Sequence, residues 1–171
     1  MEIQEAKEKF IQAWGTLGSS WGINRTMAQI QALLLVSNEA LSTEQIMEAL
    51  QISRGNANMN IRALIDWGLV YKEYKSGDRK EYFAAEKELW HIAKHVIIER
   101  RKRELEPLLR VLKQVKDVEN PNQDEEIELF NQMVSGIESF GNKADNLLEL
   151  IANAEENWLF NKLLKNKKKK S

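Results

Sequence analysis

The sequence predicts a mainly α-helical fold that contains one small β-hairpin. The chain of 171 residues is 43% hydrophobic and holds only 8 Gly and 2 Pro, a composition typical of folded, largely helical proteins. Apolar residues recur at helical spacing through most of its length, and two short alternating segments flank the turn sequence Ser76–Gly77–Asp78. Between residues 41 and 86 a short helix, a tight turn, a second helix and the hairpin follow one another. This order is that of a winged helix-turn-helix, here extended by long helical arms.

Two polar N-caps define the helix-turn-helix. Ser42 or Thr43 can cap the first helix, and Ser53 can cap the second after a turn at Gln51–Ile52. The apolar positions of the second helix are spaced by four, three and one residues, so they share one buried face: Ala57, Ile61, Leu64 and Ile65. Gly68 is expected to end this helix.

The opposite face of the second helix has no acidic residue before Asp66. Arg and Asn side chains carry forked donors and acceptors that fit guanine and adenine edges in the major groove of DNA. Glycine in the first turn allows close approach of the backbone to a partner. The predicted DNA-contacting residues of this face are Ser53, Arg54, Gly55, Asn56, Asn58, Met59 and Arg62. For the helix alone, a solvated surface rich in Asn explains the pattern equally well.

The hairpin that follows favours the DNA-binding interpretation. Residues 69–74 alternate as a half-buried strand would, and residues 81–85 form the returning strand. Its tip carries Lys75, Arg79 and Lys80. A basic tip directly after a polar second helix is suitably placed to contact the DNA backbone or the minor groove.

Four segments of this sequence resemble the GbsR branch of the MarR-type transcriptional regulators, over about residues 10 to 115. They are Trp14-Gly15, Trp21-Gly22-Ile23-Asn24-Arg25, Ile52-Ser53-Arg54-Gly55-Asn56 and Leu64-Ile65-Asp66-Trp67-Gly68-Leu69-Val70. The resemblance implies a dimeric winged-helix repressor that binds double-stranded DNA. It assigns DNA contacts to Ser53, Arg54, Asn56, Asn58 and Arg62, with Arg79 as the wing contact. One group of that branch responds to choline or glycine betaine, so a quaternary ammonium such as choline is a candidate effector, but the resemblance carries over no ligand because no motif beyond Pro121 matches.

The helical arms predict three regions. Residues 1–22 form an N-terminal dimerisation helix, residues 23–86 the winged DNA-binding domain, and residues 87–171 a C-terminal dimerisation and effector region. A homodimer would require a pseudo-palindromic operator. The first helix is expected to bend at its glycines and to bury one face: Ile3, Ala6, Phe10, Ala13, Trp14 and Leu17.

The C-terminal region is expected to be interrupted three times. Pro107 predicts a kink or a restart of the helix, Asn120-Pro121 a break, and Gly141 the boundary between two apolar-striped helices, of which the second reaches Leu163. The helix after residue 86 is expected to bury Leu89, Trp90, Ala93, Val96 and Ile97, and residues 99–104 are expected to be solvated.

Charge and cysteine content exclude several classes of function. The net charge is −1, so any DNA contact must depend on a local basic patch. Charge is unevenly distributed along the sequence, with basic runs at 100–103 and 167–170 and an acidic run from 117 to 128. The absence of Cys excludes disulfides, thiol redox sensing and Cys-based zinc sites. No apolar run is long enough to span a membrane and no secretory signal is present, so a cytoplasmic location is expected.

The sequence contains no catalytic motif. It has no phosphate-binding glycine loop, nucleophile elbow or HExxH motif, so neither enzymatic activity nor a cofactor is expected. A metal set at Glu88, His91, His95 and Glu99 is conceivable, although a structural or solvated role is favoured. An aromatic cage for a quaternary ammonium is likewise conceivable, but Trp14, Trp67, Trp90 and Trp158 lie in apolar patterns that favour core packing.

One alternative function remains open. A winged helix can also serve as a protein–protein assembly module without contacting DNA. Such modules tend to present apolar or acidic groups on the exposed face of the second helix, whereas residues 53–62 present Arg and Asn.

Overall fold

The computed structural model describes residues 1–155 and divides into two compact units, the first ending at Ile92 and the second beginning at Ala93. The helices are α1 (Ile3–Ser20), α2 (Arg25–Leu35), α3 (Thr43–Leu50), α4 (Arg54–Asp66), α5 (Leu89–Arg100), α6 (Glu106–Val115) and α7 (Glu125–Asn153). The strands are β1 (Leu41–Ser42), β2 (Val70–Tyr74) and β3 (Glu81–Ala85). The fold is mainly α-helical with a small antiparallel sheet, as the sequence predicts.

The centre of the first unit is α2. Asn24 caps it by accepting a hydrogen bond from the Met27 N–H, and its side chains Ile30 and Leu34 are almost completely buried. α1 and α4 pack against it. The buried apolar residues of α3 and α4 complete this core: Ile46, Ala57, Ile61 and Leu64.

Two glycines that were expected to bend α1 instead allow it to pack closely against α2. The helix continues to Ser20, so the predicted bend at Gly15 and Gly18 is wrong. A Cβ on Gly18 would lie 2.6 Å from the Ala28 Cβ, and one on Gly15 would lie 2.7 Å from the Gln29 Cγ. The buried positions of α1 are therefore Ile11, Gly15 and Gly18 rather than the predicted face, of which Ile3, Ala13 and Leu17 are exposed. Only Gly22, with φ +75°, follows the end of the helix.

The sheet has the order β1-β3-β2, and both pairings are antiparallel. Val70 pairs with Ala85 and Tyr74 with Glu81, which confirms the predicted hairpin. Pairing of the short β1 with β3 was not predicted. Of β2 only Val70 is buried, so its expected half-buried alternation is wrong. The reason is its position: α2 and α3 pack on the central β3 and leave β2 at the outer edge.

The second unit contains an interrupted helix and one long helix. A π-helical segment, Arg101–Leu105, separates α5 from α6, and α6 begins with Pro107 in its first turn, which agrees with the predicted kink or restart at this proline. α7 runs unbroken for 29 residues, so the predicted division at Gly141 is wrong. A Cβ on Gly141 would lie 2.8 Å from the Leu109 Cδ2, which shows that this glycine serves close helix packing. The predicted break at Asn120-Pro121 lies in the loop between α6 and α7.

Two burial predictions for this region are wrong. Leu89 is 74% exposed, and Ile92 is buried in its place. Glu99 was expected to be solvated but is only 8% exposed, because its carboxylate accepts a hydrogen bond from the Arg103 Nε. Trp158, the C-terminal part of the stripe that reaches Leu163, and the basic run 167–170 lie outside the described residues.

Candidate nucleic-acid interface

The connection between α3 and α4 is fixed by local hydrogen bonds. Ser42 forms a capping box with Gln45: its Oγ accepts from the Gln45 N–H at 3.3 Å, and its N–H donates to the Gln45 Oε1 at 2.8 Å. Gln51 takes the left-handed conformation, with φ +52°, and the Ile52 N–H donates to the Met47 carbonyl at 3.1 Å. The angle at which α4 leaves α3 is therefore set within the turn itself.

Capping also defines both ends of α4. The Ser53 Oγ accepts from the Asn56 N–H at 3.3 Å, as predicted for this N-cap. At the other end Gly68, with φ +68°, donates to the Ile65 carbonyl, and the Leu69 N–H donates to the Leu64 carbonyl at 2.9 Å. These last two bonds form a Schellman motif, which a glycine at this position makes possible.

The exposed surface of α4 contains most of the residues that were predicted to lie there. Arg54, Gly55, Asn58, Met59 and Arg62 are exposed. The backbone at Gly55 is accessible, since apart from its chain neighbours and the nearby backbone of α4 no atom lies within 4 Å of the position that a Cβ would take. Asn56 differs from the prediction because it is half-buried and its side chain is already hydrogen-bonded within the helix.

Asn60 is a polar residue of this site that the sequence reasoning missed. It is only 3% exposed, and its Nδ2 donates to both the Asn56 carbonyl at 2.9 Å and the Asn56 Oδ1 at 2.7 Å. A signal was present, because position 60 lies on the same helix face as Ala57, Ile61 and Leu64. An amide on a buried face requires a hydrogen-bonding partner.

The second missed residue is Glu44, on α3. Its Oε1 accepts from the Arg54 Nη2 at 2.8 Å. A hydrogen bond from its own backbone N–H and a second one from Arg54 lower the pKa of Glu44 below its ordinary value. The pair spans the turn between the two helices, so it orients Arg54 at the start of α4.

The hairpin tip is ordered by side-chain contacts. The Asp78 carboxylate accepts from the Lys80 N–H at 3.0 Å and from the Tyr82 hydroxyl at 2.7 Å. These contacts lower the pKa of Asp78 and raise the pKa of Tyr82. The Lys75 Nζ lies 4.4 Å from the centre of the Tyr82 ring and 3.3 Å from the Glu39 carboxylate. Lys75, Arg79 and Lys80 are all exposed, as predicted.

The basic run 100–103 is largely engaged with carboxylates of its own unit. Arg101 makes two hydrogen bonds to Asp145, at 2.5 and 3.0 Å. Arg103 pairs with Glu99, and Arg100 with Glu104. Pairing with carboxylates of the same unit therefore engages three of the four basic residues of this run.

The predicted metal candidates have other neighbours. His91 lies 3.6 Å from carboxylate oxygens of both Glu86 and Glu88, and Glu99 is engaged by Arg103. Across residues 1–155, no group of three or more His, Cys, Asp or Glu side chains is arranged to hold a metal ion.

Trp14 and Trp67 pack into the first unit, which is the favoured alternative to a cage, whereas Trp21, Tyr71 and Tyr74 are exposed. Trp67 is buried. Trp14 is half-buried, lies 5.5 Å from Phe10 between ring centroids, and donates through its Nε1 to the Gln31 Oε1. In the part of the chain that the structure describes, no helix has both the length and the apolarity needed to cross a membrane.

Comparison with known proteins identifies the winged segment. Residues 21–81 match the model of the MarR family. Over 76 residues the chain is 32% identical to the HTH-type transcriptional regulator MmpR5 of Mycobacterium tuberculosis, a match that covers 44% of this chain and 46% of MmpR5. The chain thus matches about half the length of this curated relative. A crystal structure of a transcriptional regulator superposes with a TM-score of 0.54, covering 84% of this chain and 98% of that one.

The three comparisons support conclusions of different scope, from the fold alone to the family of the winged segment. At 21% identity, the likeness to the crystal structure concerns the fold alone. Both matched proteins are named as transcriptional regulators rather than enzymes. The family match covers the turn between α3 and α4, the polar surface of α4 and the basic hairpin tip. The winged helix-turn-helix of this chain, residues 21–81, is therefore similar to that of the MarR family.

Proposed function

We propose that this protein is a cytoplasmic, sequence-specific, double-stranded DNA-binding transcriptional regulator that acts as a homodimeric repressor. The observation that carries the proposal is the exposed surface of α4, where Arg54, Asn58 and Arg62 are accessible and no acidic residue occurs before Asp66. Arg and Asn can discriminate base edges in the major groove. A surface with this composition argues against the alternative of an assembly module that does not contact DNA.

The hairpin supplies the second contact. Arg79 and Lys80 are exposed at its tip, and the Asp78 carboxylate holds the backbone beside them. Ordered basic groups next to a recognition helix bind phosphate oxygens and fix the register of the protein on the duplex. We therefore assign base reading to α4 and backbone contact to the hairpin, which we name the wing.

The net charge of −1 is compatible with this division. Acidic residues are concentrated elsewhere, in the run from 117 to 128, while the surface formed by α4 and the wing tip is rich in Arg, Lys and Asn. Nonspecific binding should be weak for a chain of this net charge, since it depends on phosphate neutralisation. Binding should therefore depend strongly on the correct operator.

The proposed homodimer is supported by an apolar stripe on α7. Met133, Ile137, Phe140 and Leu147 recur at spacings of four, three and seven residues, and all four are exposed, Phe140 by 75%. Such spacing forms a seam that pairs with a matching helix. A second copy of the chain presents the same seam, and a two-fold dimer would place two α4 helices on one pseudo-palindromic operator.

Effector control is a further part of the proposal. It rests on the resemblance to the GbsR branch, and a quaternary ammonium such as choline is the proposed effector. Addition of choline to an operator titration tests it directly: the expected result is a weaker apparent affinity. An unchanged affinity up to millimolar choline would remove this effector from the proposal.

The decisive experiment is selection of DNA bound by the full-length protein from a random pool. The expected result is an enriched motif with two inverted half-sites, as a dimer requires. A matched control is Lys143→Ala, an exposed basic residue of α7, which should enrich the same motif as the natural sequence. Failure of the natural sequence to enrich any motif would overturn the proposed function.

A further inference from the structure

The first turn of α4 contains two side chains whose orientations are set by other residues. Glu44 of α3 holds Arg54, and the buried Asn60 holds Asn56. We propose that Glu44 and Asn60 are positioning residues that make this turn present only hydrogen-bond donors to DNA. It would then read hydrogen-bond acceptors, namely guanine O6 and N7 or phosphate oxygens, and would discriminate against adenine. This inference rests on the proposed function and names the chemical groups of DNA that the first turn of α4 recognises.

The Arg54 side chain is oriented by Glu44 but remains accessible to solvent. Its contact with Glu44 uses one N–H of Nη2, at 2.8 Å, and the side chain remains 59% exposed. A guanidinium has only donors, in a fixed fork that matches two acceptors side by side. Holding one edge of the fork therefore aims the remaining N–H groups, and it reduces the rotamer freedom that Arg54 would lose on binding.

Asn56 is restricted more strongly. A free carboxamide makes the bidentate contact that selects adenine by offering its oxygen to the N6 amino group and its NH2 group to N7. The Asn56 Oδ1 already accepts from the Asn60 Nδ2 at 2.7 Å, and the same Nδ2 also donates to the Asn56 carbonyl. Turning the oxygen toward DNA would break a hydrogen bond of a nearly buried amide, which is unfavourable. The Asn56 NH2 group is therefore the part that is directed away from Asn60.

The backbone of the turn adds to this donor character. Arg54 and Gly55 stand at the start of a 13-residue helix, where N–H groups lack intrahelical acceptors and the helix dipole favours negative groups. Nothing lies within 4 Å of the place where a Gly55 Cβ would be, so an acceptor on DNA can approach this backbone. Side chains and backbone of the turn thus favour the same kind of partner.

The Arg54–Glu44 pair has a simpler explanation, which is that it merely stabilises the surface. That explanation is weak in energetic terms, because exposed ion pairs contribute little to folding. A carboxylate beside a DNA-binding surface also repels phosphates. Its presence is better explained by the orientation that it imposes on Arg54.

The first test compares Glu44→Ala with Glu48→Ala in full-length protein. Both residues are exposed carboxylates of α3, so both changes remove the same repulsion from DNA. The measurement is the ratio of selected-operator affinity to random-DNA affinity. We expect Glu44→Ala to lower this ratio at least about fivefold, because one positioned base contact is lost. Glu48→Ala should leave it unchanged, and Glu44→Gln, which keeps an acceptor oxygen, should restore part of it. Equal ratios for Glu44→Ala and the natural sequence would overturn the role of Glu44.

The second test compares Asn56→Asp with Asn38→Asp by selection from a random pool. Asp at position 56 can still accept from Asn60 but loses the outward NH2 group, whereas the exposed Asn38, which is not assigned to the DNA surface, provides the same charge change. We expect Asn56→Asp to abolish the guanine preference at one base pair and Asn38→Asp to retain it. Asn60→Ala frees the Asn56 oxygen and should admit adenine at the same position. Since Asn60→Ala removes a buried group, circular dichroism should establish that this variant is folded. If the Asn60→Ala variant is unfolded, the result for Asn56→Asp alone decides whether the Asn56 NH2 group reads guanine.

Substituted operators separate the two sources of acceptors. Replacing guanine by 7-deazaguanine should weaken binding if the turn reads a base, and a methylphosphonate linkage should weaken it if the turn binds a phosphate. Either result supports the donor-only turn. An adenine at this position in the operator of the natural protein, with binding lost when its N6 amino group is removed by purine substitution, would overturn it, because that group is a donor. Failure of the natural protein to enrich any motif would count instead against the proposed function.

Discussion

The guanidinium of Arg101 binds the carboxylate of Asp145 through two hydrogen bonds, of 2.5 and 3.0 Å, and so links the π-helical segment to α7. Both side chains are less than one third exposed. Hydrogen bonding to Arg101 lowers the pKa of Asp145 below its ordinary value. A bidentate pair of this kind has better geometry than most surface ion pairs.

Replacing Asp145 should therefore change the acid stability of the protein. Because the folded pKa of Asp145 lies below the unfolded value of about 4, the pair stabilises the fold above that pH, and this contribution is lost as the pH falls through the lowered pKa. Asp145→Asn should cost about 1–2 kcal/mol at pH 7 and flatten the loss of stability in acid. Urea unfolding at several pH values measures both effects. The exposed pair of Arg110 and Glu106 is the control, and Arg110→Ala should change neither.

The close packing of α1 on α2 can be tested with one methyl group. Gly18→Ala would place its Cβ 2.6 Å from the Ala28 Cβ, which is attached directly to the backbone and cannot move away. We expect a loss of about 1–3 kcal/mol from overpacking. Gly136→Ala is the matched control, since its Cβ would meet open space and alanine favours helix; it should stabilise slightly. Thermal unfolding compares the two, and equal melting temperatures would contradict the close approach.

The proposed division of DNA contacts predicts different losses for two arginines. Arg54→Ala should cost about 1–3 kcal/mol on the operator and relax specificity at one position. Arg79→Ala should weaken binding to all sequences alike and reduce its salt dependence, because a phosphate contact is lost. Titrations at several salt concentrations separate the two outcomes. If both variants kept the natural affinity and salt dependence, neither assignment would stand.

The seam on α7 predicts a charge-sensitive dimer. Ile137→Glu should convert a dimer to a monomer, because it places a carboxylate in the proposed apolar interface. Ser135→Glu adds the same charge at an exposed position on another face of α7 and should leave the dimer intact. Light scattering at several protein concentrations gives the mass of each variant. A monomeric natural protein would contradict the proposed homodimer, and a dimeric Ile137→Glu variant would assign dimerisation to another surface.

The histidines are expected to contribute nothing to DNA binding. The double variant His91→Ala with His95→Ala should keep the operator affinity of the natural sequence, and neither protein should respond to a chelator. This follows from the contacts of His91 with Glu86 and Glu88, which explain its position without a metal. Chelator-sensitive binding in the natural protein that disappears in the double variant would reverse the assignment.

Local chemistry explains what the sequence predicted correctly. The caps Ser42 and Ser53 and the terminating Gly68 act on their own helix ends, so their roles can be read from a few neighbouring residues. The strand β3 was predicted with the residues that form it, because turn residues and alternation are also local signals.

What the sequence did not predict depends on contacts between distant residues. Gly18 and Gly141 were interpreted as breaks, although each lies inside a helix that packs closely on another. Glycine produces the same sequence signal in both situations, and only the neighbouring helix distinguishes them. The contact of Glu44 with Arg54 crosses a turn and ten positions of sequence, so no periodicity indicates it. Asn60, by contrast, could have been recognised by its place on a buried face.

Ser42 belongs to two structures at once. It pairs with Tyr82 as part of β1, and it is also the N-cap of α3, which begins at the next residue. No flexible linker therefore separates the sheet that carries the wing from the helix pair that carries α4. Force applied to the wing by a DNA backbone would pass directly into the cap of α3 instead of being absorbed by a hinge. Wing and helix pair should thus bind as one preformed rigid body with little loss of conformational entropy, and slow structural adjustment after encounter is not expected.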